Sequence, residues 1–369
     1  MDIQARQPRG IVKVNGEIIP GWEAWEIDTN SFYQADTFKI VFAISELPAA
    51  YNAAWFGDQS KMLVEIFAGF PSNPEKFDTS ELESLIVGQV DDFSMIMDSK
   101  IIELSGRDLT ANLIDAKTTE KFQNQTASQV AIMLAERHNL TPVVTSTSGP
   151  TGLFYEIDHT RMNAERSEWD LLTALADESG MMVYVRGTSL YFAPKPSESD
   201  APYLLTWEPA TDQHGYSRFN GESLSFSRNL TLAKDIIVTV RSWNQKNKKG
   251  FSKTVRATQN KNTVLAGAAQ PIGDAQTYQY TIPNATPEQV LQEAQSRLQQ
   301  LSQHELKMSA TLPGDNILDI TNIIKVTGTG TRFDTIYYPS SIIREMTPNN
   351  GYKMHIEAKN HSPESILIS

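Results

Sequence analysis

The sequence predicts a mainly β chain with an α+β insertion: two similar antiparallel β-barrel domains, a small α+β domain and a helix-containing insertion. Three observations carry this. Period-two alternation fills residues 10–105 and returns at 222–240 and in the last sixty residues; the period changes to that of a helix between 107 and 195; and the late strands echo the early ones in order and spacing.

The first element pair is "IVKVNGEIIPGWEAWEID", two short strands around Asn15-Gly16, a dipeptide that suits a tight hairpin turn. "TFKIVFAI" (37–44), "MLVEIFAG" (62–69), "SLIVGQV" (84–90), "FSMIM" (93–97) and "KIIELSG" (100–106) follow, with a connection over 70–83 that carries two prolines. These make an antiparallel barrel or sandwich of roughly a hundred residues. Asp91-Asp92, between two apolar runs, reads as turn chemistry rather than a pair of catalytic carboxylates.

"ELSGRDLTANLIDA" (103–116) ends a strand, breaks at Gly106 and opens a helical turn that Asp108 or Thr110 can cap. Thr126-Ala-Ser-Gln129 is a capping box. Val130, Met133 and Leu134 give the helix after it an apolar side, and Asn139 ends it in a left-handed conformation. A second helix opens at Ser167-Glu-Trp-Asp170. Its Trp169, Leu171, Leu172, Leu175 and Ala176 lie within an arc of roughly 160° at about 100° per residue. Gly180 stops it, and "MMVYVRGTSLYFAP" (181–194) turns back near Gly187 as a hairpin.

Strand character resumes in "ESLSFSRNLTLAKDIIVTV" (222–240), with "FSKTVRAT" (251–258) as hairpin partner. Thr286-Pro-Glu-Gln289 opens a third helix whose apolar side is Val290, Leu291, Ala294, Leu298 and Leu301. "ADTFKIVFA" echoes "AKDIIVTVR", "KMLVEIFAG" echoes "NIIKVTGTG", and "SLIVGQVDDFSMIMDSKIIELSG" echoes "YYPSSIIREMTPNNGYKMHIEAK". The expected domains are therefore 1–106, a first barrel; 107–195, the inserted α+β domain; 196–245 with 310–369, a discontinuous second barrel; and 246–309, an insertion holding a basic hairpin and one helix.

Composition narrows the function. A net charge of −12 over 369 residues argues against a dedicated nucleic-acid binder, whose affinity rests on cations facing phosphates. Absence of cysteine excludes disulfides, thiolate metal sites and cysteine nucleophiles, and fits a reducing compartment. No apolar run approaches the ~18 residues that span a bilayer, and "MDIQARQPRG" lacks a signal peptide's apolar stretch, so the chain is expected to stay where it is made. No HExxH, GxSxG or P-loop occurs, and "TGTGTR" (327–332) lacks the spacing of a phosphate cradle. His138 in "ERH" (136–138) and the histidine of "QHE" (303–305) sit at helix ends, where they complement the dipole. Asp158-His159 points to opposite faces if on a strand. No catalytic residue, cofactor or metal is expected. The unusual feature is "NQKNKKGFSKTVRATQNKN" (244–262), where Lys246, Lys248 and Lys249 crown a hairpin; they form either a solvated tip or a dock for an acidic partner.

Four stretches in order, 103–116, 167–195, 235–249 and 342–360, resemble the hub proteins of bacteriophage tail baseplates, a group that includes T4-type hubs, Mu-type and P2-type late control D proteins and the N-terminal part of type VI secretion spikes. The resemblance implies a homotrimeric ring whose paired barrels face a sixfold tail tube while its threefold symmetry faces a central spike. It implies as partners the tube or an adaptor, the spike, other baseplate subunits, and the tape measure protein and DNA in passage through the channel, with no stable nucleic-acid binding and no membrane insertion. An acidic lumen would keep DNA from sticking. The spike is expected on a separate chain, because this one stops after the second barrel. Placement in the virion tail tip, after assembly in the host cytoplasm, follows. The alternatives are a carbohydrate- or peptidoglycan-degrading tail enzyme and a hub or spike subunit of a type VI system or tail-like bacteriocin.

Overall fold

The computed structural model describes residues 7–31, 33–118, 120, 122, 125–147, 166–210, 215–228, 236–244, 249–257, 276–283, 286–302, 306–360 and 365–368. The chain forms two compact units, Met1–Ala201 with Thr311–Asn322 and Pro339–Ile356, and Pro202–Ala310 with Ile323–Tyr338 and Glu357–Ser369. It is β-rich, as expected. No helix among the described residues is long and apolar enough to cross a membrane.

In the first unit the neighbouring strands run Trp22–Asn30, Thr37–Ala43, Ile101–Asp108, Glu83–Ile96, Leu63–Gly69, Arg9–Val14 and Glu17–Ile18, every pair antiparallel. Residues 341–346 pair with the far edge of Trp22–Asn30. Alternation sets the faces: Phe38, Ile40 and Phe42 are buried while Thr37 and Lys39 look out. Trp25, Ile27, Ile66, Ile102 and Leu104 complete the core, each contributing about 1.5–3 kcal/mol of burial. The Asn15-Gly16 turn holds positive φ at both residues, 53° and 87°, as a two-residue primed turn requires.

Two sequence expectations change here. Asp91 and Asp92 lie not in a turn but inside the single strand Glu83–Ile96, where the register shifts between Val90 and Asp92. A bulge takes up the extra residue and lets two carboxylates interrupt an apolar run without ending it. Nor does Gly106 bend the chain: the strand runs through it to Asp108. What requires glycine is space, since a Cβ there would stand 2.0 Å from the Gln89 carbonyl oxygen and 2.8 Å from Phe38 Cζ. The first neighbour is backbone, so no rotamer relieves it. Gly106→Ala is expected to cost about 1–3 kcal/mol in denaturant melts; an unchanged midpoint would mean that the two strands tolerate separation.

The α+β part follows its local signals. Helix Ala127–Arg137 carries the Thr126–Gln129 capping box, and helix Glu168–Glu178 carries one from Ser167 and Asp170. Asn139, Gly180 and Gly187 take φ of 57°, 69° and 56° where the chain must reverse. Met181–Arg186 and Ser189–Pro194 form the hairpin, and Thr141–Val144 adds a parallel strand. Val130, Leu134, Leu172, Leu175, Leu190 and Phe192 fill the space between helices and sheet.

In the second unit Tyr203–Glu208 pairs in parallel with Ile324–Thr327, which pairs antiparallel with Ile336–Thr347. Ser223–Arg228 pairs with Leu306–Pro313. A separate four-stranded sheet orders Gln276–Pro283, Ile236–Asn244, Lys249–Ala257 and Ser365–Ile368, with helix Pro287–Ser302 against one face. The first five strands of the sheet above are matched in order by Ser223–Arg228, Leu306–Pro313, Gly351–Lys359, Ile336–Thr347 and Ile324–Thr327. Thus the strand equivalent to Thr37–Ala43 is Leu306–Pro313, and not 235–243 as the sequence echo has it. Alternating Val and Ile report that one face is buried, not which sheet buries it.

Candidate interaction surface

Along Ile236–Asn244 the side chains of Val238, Val240 and Ser242 are buried, whereas Arg241 and Trp243 are exposed. The reason is the helix. Val290, Ala294 and Leu298, four residues apart, form one stripe that meets Val238, Val240 and Val255, with Tyr278, Tyr280 and Ile282 packed alongside. Arg297 lies over the Tyr280 ring at 5.3 Å. The opposite sheet face presents Thr239, Arg241, Trp243, Ser252, Thr254 and Gln279, exposed or half-buried, and no described residue covers it. Thr239 and Thr254 join their hydroxyls across it at 3.0 Å.

Trp243 remains 55% exposed. It faces Gly250 across the hairpin, and a Cβ at 250 would come within 2.9 Å of the indole Cε3, so the ring rests on bare backbone. Sequence reading passed over this residue. The signal was its outward register, two positions from Arg241 and opposite a glycine. Of the lysines singled out from sequence, Lys246 and Lys248 lie outside the described residues. Lys249 is placed only through its backbone, paired with Asn244, in the hairpin expected there.

The remaining candidates are occupied by structural partners. Asp91 accepts from Arg107 Nε at 2.6 Å and Nη2 at 3.0 Å, and Asp115 accepts from the same guanidinium at 3.2–3.3 Å. These hydrogen bonds push the Arg107 pKa upward. Asp91 and Asp92 line a cleft of about 320 Å³ with Glu26, Lys39 and Arg107. His138 caps its helix as expected, but its Nε2 also lies 2.5 Å from Glu168, a buried carboxylate that Arg137 contacts from the other side. In the 327–332 loop the Thr329 and Gly330 amides both donate to Asp334, at 2.9 Å, so they are turned inward rather than toward a phosphate. His159 and residues 303–305 lie outside the described residues. Among the described residues no group of three or more His, Asp or Glu is arranged to hold a metal.

Asp108 is buried and accepts from the Thr110 amide at 3.2 Å and hydroxyl at 2.8 Å, which is the capping role read from sequence. Its own amide donates to the Asp36 carbonyl at 2.8 Å. Burial lifts the Asp108 carboxyl to about 7. Desolvation and the neighbouring Asp108 charge raise Asp36 as well.

A family model described as the Alg8 N-terminal domain matches residues 63–348, more than half of the chain. No curated protein matches the sequence. Among solved structures, the tail protein from Neisseria meningitidis MC58 is 15% identical, with 96% of this chain and 97% of that one covered and a TM-score of 0.67. The 43 kDa tail protein of prophage MuSo2 from Shewanella oneidensis is 16% identical, with coverage of 95% and 98% and a TM-score of 0.63. An E. coli component of the type VI secretion system, described as structurally similar to the T4 bacteriophage tail proteins gp27 and gp5, is 12% identical, with coverage of 95% and 77% and a TM-score of 0.52. At these identities the likeness is one of fold.

Proposed function

The chain belongs to the Alg8 N-terminal domain family and shares its fold with phage tail proteins, and from that premise we propose that it is the structural hub of a phage or phage-like tail baseplate. The observation that carries the proposal is an end-to-end match: the tail protein from Neisseria meningitidis covers 96% of this chain with 97% of its own length. The hub works as a homotrimeric ring. The recurring five-strand order supports this, because two like modules per chain let three copies present six similar surfaces to a tail tube and three to a spike. The two barrels, 1–106 and the discontinuous 196–245 with 310–369, are those modules, with 107–195 and 246–309 as additions.

In this reading the protein binds itself, the tube or an adaptor, a spike and other baseplate subunits, and its ring encloses the path of the tape measure protein and DNA. It holds no nucleic acid stably, enters no membrane and turns over no substrate. It resides in the virion tail tip after assembly in the host cytoplasm. Lys246, Lys248 and Lys249 dock an acidic neighbour there. The type VI component, whose fold covers 95% of this chain, supports a second reading as the hub of a secretion spike or tail-like bacteriocin.

Light scattering for mass and negative-stain imaging test the proposal. A ring of three is expected, with no release from peptidoglycan or glycans above a buffer control. A monomer at all concentrations overturns the hub reading. Release abolished by replacing Asp91 or Asp92 would favour the tail-enzyme alternative instead. Recovery from DNA-filled particles separates the phage reading from the secretion one.

A further inference from the structure

Charge is segregated along this chain. Between residues 236 and 283 there are seven Lys and Arg against Asp274 alone, a net +6, so the rest of the chain carries −18 of the −12 total. The same stretch supplies three strands of the four-stranded sheet, whose described residues cover one face with helix Pro287–Ser302 and leave the other open. None of the side chains that the three strands direct onto the open face is acidic; Arg241 and Trp243 stand out from it among threonine, serine and glutamine.

We infer that this open face, centred on Arg241 and Trp243, docks on the acidic surface of a second copy of the chain. The inference rests on the hub reading and adds to it the surface through which copies meet. A closed ring of identical subunits requires two different, complementary surfaces on each chain, a head and a tail. A basic sheet face and an acidic remainder supply both. Trp and Arg are the side chains that most often dominate interface energetics. Trp243 is also pre-positioned, since its ring already rests on Gly250 and has little rotamer freedom left to lose. The hydroxyl and amide groups around it supply hydrogen bonds to a polar partner surface.

Sedimentation and light scattering of the full chain test this, at ~50 mM and ~500 mM salt, because surface charge pairing is screened over about 8–10 Å at physiological strength and less above it. Variants are Trp243→Ala, Arg241→Glu, Ser252→Asp on the same face, and Lys246, Lys248 and Lys249 together to Glu. The wild type should assemble, and more weakly at high salt. Each face variant should raise the dissociation constant by roughly tenfold or more, with circular dichroism and melting unchanged. A photo-crosslinker at position 243 should join two copies of the chain. Should Trp243→Ala misfold, Arg241→Glu and Ser252→Asp carry the test alone. Variants that assemble like the wild type overturn this inference and leave the hub reading intact, whereas a monomeric wild type overturns both. Wild-type retention of DNA that Arg241→Glu abolishes would assign the face to nucleic acid and overturn it too.

Discussion

Trp169→Ala is expected to lower the stability of the α+β part by about 3–5 kcal/mol, a large fraction of what holds a typical domain together. Trp169 is 4% exposed and sits in the first turn of helix Glu168–Glu178, within the cluster that includes Leu172, Val183 and Phe192. Truncation removes the indole from that cluster and leaves a cavity which the surrounding leucines fill only partly. It also removes a hydrogen bond, since Trp169 Nε1 donates to the Tyr33 carbonyl at 2.6 Å, across 136 positions of sequence. Tyr33 holds a positive φ of 56°, uncommon for its residue type, and its hydroxyl donates to Asp177 at 2.8 Å, two turns further along the same helix. The loop before Thr37–Ala43 therefore grips the helix at both ends. Trp169→Phe keeps most of the volume and loses only the donor, so it should cost about 1–3 kcal/mol, the penalty of a buried carbonyl left unpaired. Denaturant melts read both. If the alanine variant unfolds with the wild type, the ring is not in the core.

What was legible in the sequence was what local hydrogen bonding decides. Capping boxes at Thr126 and Ser167, left-handed stops at Asn139 and Gly180 and the Asn15-Gly16 turn are all read within four residues, and all are present. Long-range pairing was not. Residues 341–346 lie beside residues 25–30, more than three hundred positions away, and nothing in either stretch names the other. The same limit misplaced 235–243 in the repeat and hid the bulge at Asp91-Asp92, because a bulge is a property of two strands. For the surface, the lysine cluster was visible as charge. Trp243 was not, since an outward tryptophan reads like an inward one until the helix shows which face is covered.

The second large effect is a pH dependence at the joint between strand Ile101–Asp108 and helix Thr110–Asp115. Asp108→Asn is expected to stabilise the protein above neutral pH. The carboxyl's ordinary value is 3.8 and burial raises it to about 7 in the folded chain, so between these values the folded state binds more protons than the unfolded one. Stability is then greatest below 3.8, falls as pH rises through the window and reaches its lowest contribution from this group above 7. The charges around the pair set the balance. Arg107 and the Thr110 donors favour the ionised form of Asp108, whereas Asp108, Asp319 and Asp28 all oppose ionisation of Asp36, and Asp319 is itself engaged by Arg186. Two adjacent carboxyls that disfavour each other's charge titrate as a pair. Asparagine keeps an oxygen for the Thr110 amide and hydroxyl, so the cap survives while the buried charge is removed. Thermal melts should show the variant above the wild type at pH 8, by on the order of 2–4 kcal/mol, and converging with it near pH 4. Asp36→Asn should act in the same direction, and the two substitutions together should fall short of their sum, because each relieves the other's repulsion. Parallel pH profiles for variant and wild type would mean that Asp108 is already charged at low pH and stabilised by the Thr110 donors alone.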